Sequence, residues 1–471
     1  MSNDAWLSRP LAENQAAAVS TFDDFITDFS FTQNGVRLHY LPYPINPVDT
    51  DTFERFYTEV YLPLREATDT DAEFVDRIIE IYTSDVDGAS GGDNPASPLS
   101  EIIDEDTEYQ PFTQETSWLH LYALMYVGST EPSRVFVDEP NVSLDAVTSV
   151  EGAYIDVLSD VGASQLFGTL ASQLGYYLPN EGGIAYALLF GSLFDPVIAL
   201  SPDENDTEAE DAKATTGDAL FTRYAKLLRG RSINAVSLIS EFATRVDEKL
   251  RENLSTNNEP FPTRLVLSQY IQLRTLDQAE LLDGDSIIKT GICNADMRSP
   301  SDGQTYSSRD ERLQDFLENH PMLDNTEARS VFLLGALVGR LSAYQYSEGV
   351  SQKLTEQYPP SSISRRVIPE VTQEILDRNY TYGDKDDINR FNQRYTNRLA
   401  DSMLVRSPDD WTISESESKW LYALGVAYGK QDTSKGIERS DEIEDDDDGT
   451  DEVDSTDETD DGHKNIELTE Y

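Results

Sequence analysis

The hydrophobic pattern changes character near residue 218. Downstream of it, apolar residues recur at three- and four-residue steps, the spacing that gathers them on one face of an α-helix. This predicts helices in LFTRYAKLLRG (220–230), SINAVSLISEFATRVDEKLREN (232–253) and TRLVLSQYIQLRTLDQAELL (263–282). An irregular stretch over 283–312 follows, rich in Gly and Pro and holding Cys293. Asp324-Asn325-Thr326-Glu327 then offers a capping box for EARSVFLLGALVGRLSAYQ (327–345), and Ser414-Glu415-Ser416-Glu417 caps SKWLYALGVAYGK (418–430). Between them, Ser361–Arg378 and Asp386–Val405 read as amphipathic helices.

Upstream the pattern is mixed. FTQNGVRLHYL (31–41) predicts a hairpin turning at Asn34-Gly35, followed by the Pro-punctuated loop YPINPVDTD. Helical spacing returns at Thr52–Leu64 and Ala72–Tyr82, and DVDGASGGDNPASPLSE (85–101) is a loop by its Gly, Pro and Ser content. Trp118–Val127 reads as an apolar helix, and SRVFVDEPNVSLDAV (133–147) as one or two short strands. A polar, acidic break at 201–218 marks a domain boundary. The expected fold is mainly α: an acidic α+β N-terminal region (1–212), a helical region ending in a bundle (213–430), and a disordered acidic tail (431–471).

Charge sharpens that division. The 471 residues hold 36 Lys+Arg and 88 Asp+Glu, a net charge of −52. Residues 1–212 carry 6 basic against 39 acidic residues, and 431–471 carry 3 against 18, whereas 213–430 carry 27 against 31. The middle region is nearly neutral. Self-repulsion on this scale destabilises a compact chain unless salt screens it, and at about 1 M salt the Debye length falls to roughly 3 Å. With 38% hydrophobic and 10% aromatic residues the chain is too apolar to be unfolded throughout. The composition therefore predicts a cytoplasmic protein of a salt-accumulating halophile, an archaeon. The tail contains Asp445–Asp448 and few large apolar residues, so it cannot offset the entropy of ordering.

Several classes of chemistry find no support. One cysteine excludes an intramolecular disulfide and a multi-thiolate metal site. His39, His120, His320 and His463 are scattered without metal-ligand spacing. No Gly-x-x-x-x-Gly-Lys-Ser/Thr or Gly-x-Gly-x-x-Gly motif occurs, and no Ser/His/Asp or Cys/His arrangement can be nominated, so neither enzyme activity nor a cofactor is expected. The N-terminus lacks the basic and apolar regions of a signal peptide. IAYALLFGSLFDPVIAL (184–200) is too short to span a bilayer and holds Asp195-Pro196, so it reads as buried core.

Two groups of residues stand out in the near-neutral region. Gly335 and Gly339, like Gly425 and Gly429, lie four apart on one helix face, which suits close helix packing. Arg390, Arg394 and Arg398 recur every four residues beside an apolar stripe of Ile388, Phe391, Tyr395, Leu399 and Met403. Such a ridge suits nucleic-acid phosphates, or pairing with carboxylates of a neighbouring helix. Arg229 and Arg231 flank a predicted helix end, where cations offset the dipole, and they are also candidates for a nucleic-acid phosphate. Arg365 and Arg366 open a predicted helix, where positive charge is unfavourable and an anionic partner becomes attractive.

Three segments carry a family resemblance: SLFDPVIALSPDE (192–204) with 217–252, EARSVFLLGALVGRLSAYQ (327–345), and ESKWLYALGVAYGK (417–430). Together they resemble the large subunit of subtype I-B CRISPR Cascade complexes in its haloarchaeal form, over roughly 185–430. The resemblance implies a non-catalytic subunit of an RNA-guided surveillance complex, working with other Cascade subunits, crRNA and target DNA, while a separate helicase-nuclease cuts. It implies a C-terminal bundle like the complex's small subunit, lying along the displaced strand, with Arg390, Arg394 and Arg398 as contacts. Residues 1–184 do not match the family's longer motif-reading portion, so reading of the protospacer-adjacent motif is not assigned to this chain. Met297 and Met322 each precede the closing helices and offer internal starts for a shorter product. The competing expectation is a helical adaptor that assembles protein partners without nucleic acid.

Overall fold

A computed structural model describes residues 30–33, 36–44, 58, 119–127, 134–139, 142–174, 222–256, 261–292, 306–350, 352–386, 388–405 and 407–432. The chain divides into two compact units, neither continuous in sequence: Met1–Ser159 with Ala171–Ala235 and Ile271–Gly284, and Asp160–Leu170 with Val236–Tyr270 and Asp285–Tyr471. The described residues are mainly α-helical.

In the first unit, β1 (Ser30–Gln33), β2 (Val36–Pro44), β3 (Leu119–Val127) and β4 (Arg134–Glu139) form an antiparallel sheet in the order β1-β2-β3-β4. Gln33 pairs with Val36, so β1 and β2 form the hairpin expected from the sequence. Trp118–Val127 was expected to be helical, and β3 corrects that. Its residues pair with β2 along their whole length and with β4 on the other side. A central strand with two hydrogen-bonded neighbours accommodates a continuous apolar run, which local periodicity cannot distinguish from a buried helix. The stretch 133–147 splits: β4 is a strand, whereas α1 (Leu144–Gly162) begins at Leu144. A short helix, α2 (Gly168–Leu174), follows it.

Residues 222–228 form α3, which ends at Gly230 with φ +60°. The Gly230 and Arg231 amides donate to Leu227 O and Lys226 O at 2.9 and 2.8 Å, the left-handed helix ending that glycine adopts without Cβ strain. A two-stranded parallel sheet, β5 (Ile233–Asn234) with β6 (Leu282–Asp283), lies in the same unit.

The helices that follow are α4 (Ala235–Thr256), α5 (Thr263–Gln278), α6 (Ile287–Ile292), α7 (Arg309–Glu318), α8 (Thr326–Ser347), α9 (Leu354–Gln357), α10 (Ile368–Asp386), α11 (Ile388–Val405) and α12 (Glu415–Gln431). Within the second unit α8 and α12 form the centre, with every residue from Val331 to Leu341 and from Trp420 to Gly429 buried. The paired glycines explain how. A Cβ on Gly335 would overlap Tyr422 O, one on Gly339 Val426 O, one on Gly425 Phe332 O, and one on Gly429 Ala336 O. Each helix thus presents two glycines to the other's backbone. Trp420 Nε1 donates to Gln269 Oε1 at 3.2 Å, and Gln269 Nε2 donates to Phe242 O at 3.1 Å, joining α12, α5 and α4.

Capping follows the sequence at α12, where Ser414 and Glu417 form a complete capping box. At α8 the N-cap is Asn325, whose side chain accepts from the amides of Glu327 and Ala328 at 2.9 and 3.1 Å. Glu327 itself turns away and accepts the amides of Thr412 and Ile413 at 2.6 and 2.8 Å. The helix expected over Ser361–Arg378 begins only at Ile368, since Pro359-Pro360 opens a short 3-10 turn and Pro369 occupies the first helical turn, where proline is tolerated. The expectations at 52–64, 72–82, 184–200 and 201–218, and the tail beyond Asp432, lie outside the described residues, as do Cys293 and Met297. Met322 is buried in a 3-10 turn between α7 and α8. No helix among the described residues is long and apolar enough to cross a membrane.

Candidate nucleic-acid interface

The arginine ridge is assembled on α11, whose buried arc runs through Asn392, Arg394, Tyr395, Leu399 and Ser402. Of the expected stripe, Tyr395 and Leu399 are buried and Met403 is half-buried, and Arg394 is carried inward beside them. Arg394 Nε donates to Asp432 Oδ2 at 3.1 Å, and its Nη2 and the Tyr395 hydroxyl donate to the same carboxylate. Arg312 Nη2, from α7, donates to Asp432 Oδ1 at 2.6 Å. Asp432 is fully buried. Burial alone would raise its pKa, but Arg394 and Arg312 outweigh it and hold the carboxyl down at about 2. Burial likewise opposes charge on Arg394, while the fields of Tyr395 and Asp432 raise its pKa. Burial lifts the Tyr395 hydroxyl as well, and the adjacent carboxylate adds to that.

The cluster carries two guanidinium groups on one carboxylate and sits against an aromatic core. Tyr395 meets Tyr428 edge-on at 6.5 Å between centroids, and Tyr428 meets Phe316 at 4.7 Å. Phe316 stacks on His320 at 3.9 Å. His320 is buried, its Nδ1 2.6 Å from Phe316 O and its Nε2 2.9 Å from the Tyr270 hydroxyl. The carbonyl can only accept, so Nδ1 carries a proton, and a neutral ring then accepts from the Tyr270 hydroxyl at Nε2.

Each remaining candidate has a definite place. Arg390 lies in α11, and its side chain is outside the described residues. Arg398 pairs with Asp310, donates to Gln314 Oε1 at 3.0 Å and is 24% exposed. The hydrogen bond from Arg398 is the main cause of a lowered Asp310 pKa. The ridge is therefore not a row of free cations: Arg394 and Arg398 both take the carboxylate partners that were the alternative reading. Arg365 and Arg366 lie in the turn before α10 rather than at its start. Arg365 donates through Nε to Ile413 O at 3.1 Å and through Nη2 to the same oxygen. Arg366 is exposed.

In the other unit, Arg229 pairs with buried Glu139 and Arg231 is exposed at the end of α3. Asp432 and Arg312 carried no candidate role in the sequence reading. The available signal was spacing: Asp432 stands four residues after Tyr428 and so continues a face of α12 already committed to the core. Among the described residues, no group of three or more His, Cys, Asp and Glu side chains is placed to hold a metal ion.

Residues 207–439 match the family model described as CRISPR-associated protein TM1802 (cas_TM1802) C-terminal domain. The match supports a CRISPR-associated protein. It begins close to the start of the near-neutral stretch, encloses every helix from α3 to α12 and ends seven residues past Asp432. The ion cluster and the glycine-packed helix pair thus both belong to the CRISPR-associated match. No curated protein matches the chain.

Proposed function

We propose that the chain is a non-catalytic, cytoplasmic subunit of an RNA-guided antiviral surveillance complex of the subtype I-B Cascade type in a haloarchaeon. In this reading it helps bind crRNA-targeted DNA and stabilises the opened strands. The carrying observation is the match over 207–439, which falls on the one region that retains most of the positive charge. In such complexes base pairing reads the sequence, while protein supplies backbone contacts and strand stabilisation. A near-neutral bundle with a few directed arginines suits that task at molar salt, where counterion release adds little affinity. Other Cascade subunits, crRNA and target DNA are the proposed partners, with a recruited helicase-nuclease doing the cutting.

One observation favours the adaptor reading. Arg394, Arg398 and Arg229 all have carboxylate partners within the fold, which lowers the number of cations left for nucleic acid. Purification of the tagged full-length chain from its host in molar KCl separates the two readings. Co-purification of an RNA of uniform length is expected for the surveillance complex. Stable protein partners with no RNA would sink it and establish the adaptor.

A further inference from the structure

Outside the ridge, the second unit gathers cations at one corner. Asp247 of α4 accepts the Ser361 amide at 2.9 Å, which fixes the turn at Pro360–Ser362 against that helix. Arg251, one helical turn further along α4, and Lys419 of α12 both lie within electrostatic reach of the Asp247 carboxylate. From the same turn the chain runs on to Arg365 and Arg366, and Arg365 is anchored on the Ile413 carbonyl just before α12. The geometry points to this corner, Arg251, Arg365, Arg366 and Lys419, as a surface that binds the sugar–phosphate backbone of a nucleic acid.

Exposure and anchoring support it. Arg251 and Arg366 are exposed and make no ion pair among the described residues. Lys419 pairs with Glu415 at 2.7 Å, and Asp247 is only 8% exposed. Exposed arginines without an ion pair stand out in a chain of net charge −52. Three of the four are arginines, whose planar donors bind phosphate oxygens in pairs, a directed contact that outlasts screening better than a point charge does. Arg365 spends two of its five donors on Ile413 O, which holds the guanidinium in place and reduces the entropy lost on binding.

This assignment rests on the nucleic-acid reading above. It is tested with the full-length chain by fluorescence anisotropy on labelled single-stranded and duplex DNA over a KCl series. The paired substitution Arg251→Ala with Arg366→Ala removes two exposed side chains and is expected to leave the circular dichroism spectrum unchanged. It should weaken DNA binding at least about ten-fold and lower the slope of log affinity against log salt by about two. Arg251→Lys with Arg366→Lys should restore the slope but not the affinity. Wild-type binding that the alanine pair leaves unchanged would overturn the corner and leave the proposed function standing. A wild-type chain that binds neither DNA nor crRNA would overturn both. Loss of polyglutamate binding in the alanine pair, with DNA affinity intact, would reassign the corner to an acidic protein partner.

Discussion

At the scale of single residues, Asp432 gathers two guanidinium groups and a hydroxyl on one buried carboxylate. It is buried between Arg312 and Arg394 and takes a third hydrogen bond from Tyr395. Breaking a buried pair from one side leaves charge without compensation, at about 3–5 kcal/mol. Asp432→Asn leaves two buried cations, so a loss in that range is expected in urea denaturation at molar KCl and neutral pH. The pH dependence has a defined sign. The folded carboxyl, at about 2, lies below its ordinary value of 3.8, so its stabilisation is complete above about pH 4 and is lost as pH falls towards 2. The stability gap between wild type and Asp432→Asn should therefore narrow as pH is lowered from 5 to 3. A gap that stays constant over that interval would show that the carboxylate does not carry the interaction.

Among the elements, the α8–α12 pair depends on backbone proximity, which makes its glycines unequal to others in the chain. Gly429→Ala places a methyl on the Ala336 carbonyl, and neither helix backbone can give way locally, so a loss of about 1–3 kcal/mol or more is expected. Gly152, inside α1, has nothing within 4 Å of its would-be Cβ, so Gly152→Ala should stabilise that helix by about 0.5–1 kcal/mol. Opposite signs in chemical denaturation, followed by circular dichroism, are the decisive outcome. The glycine spacing and the Ser414 capping box were legible in the sequence because both are local patterns within one helix. Strand β3 was not, since its identity depends on β2, some eighty residues away, and on β4. Arg394 was misplaced for the same reason. Its spacing from Arg390 and Arg398 is local, but the carboxylate that draws it inward is 38 positions further along the chain. Arg251 and Lys419 escaped notice because nothing in sequence links α4 to α12.

Across the whole molecule, the boundary between bundle and tail decides how charge acts on stability. The expected tail began at residue 431, yet Gln431 closes α12 and Asp432 is a buried member of the ion cluster. A chain ending at Asp432 keeps every described residue and discards 17 carboxylates and 3 cations, which takes the net charge from −52 to −38. Self-repulsion of a chain this acidic is relieved by screening, and the Debye length grows from roughly 3 Å at 1 M salt to about 10 Å at 0.1 M. The full chain should lose its helical circular dichroism signal as KCl is lowered from molar towards 0.1 M. The chain ending at Asp432 should hold that signal to a lower KCl concentration, because less charge has to be screened. A chain ending at Gln431 differs by one residue but leaves Arg312 and Arg394 without their shared carboxylate, so it should be less stable than the chain ending at Asp432 at every salt concentration. If the two truncations behaved alike, the ion cluster would have no part in holding the bundle. If neither midpoint moved from that of the full chain, the tail's charge would have no part in the salt requirement.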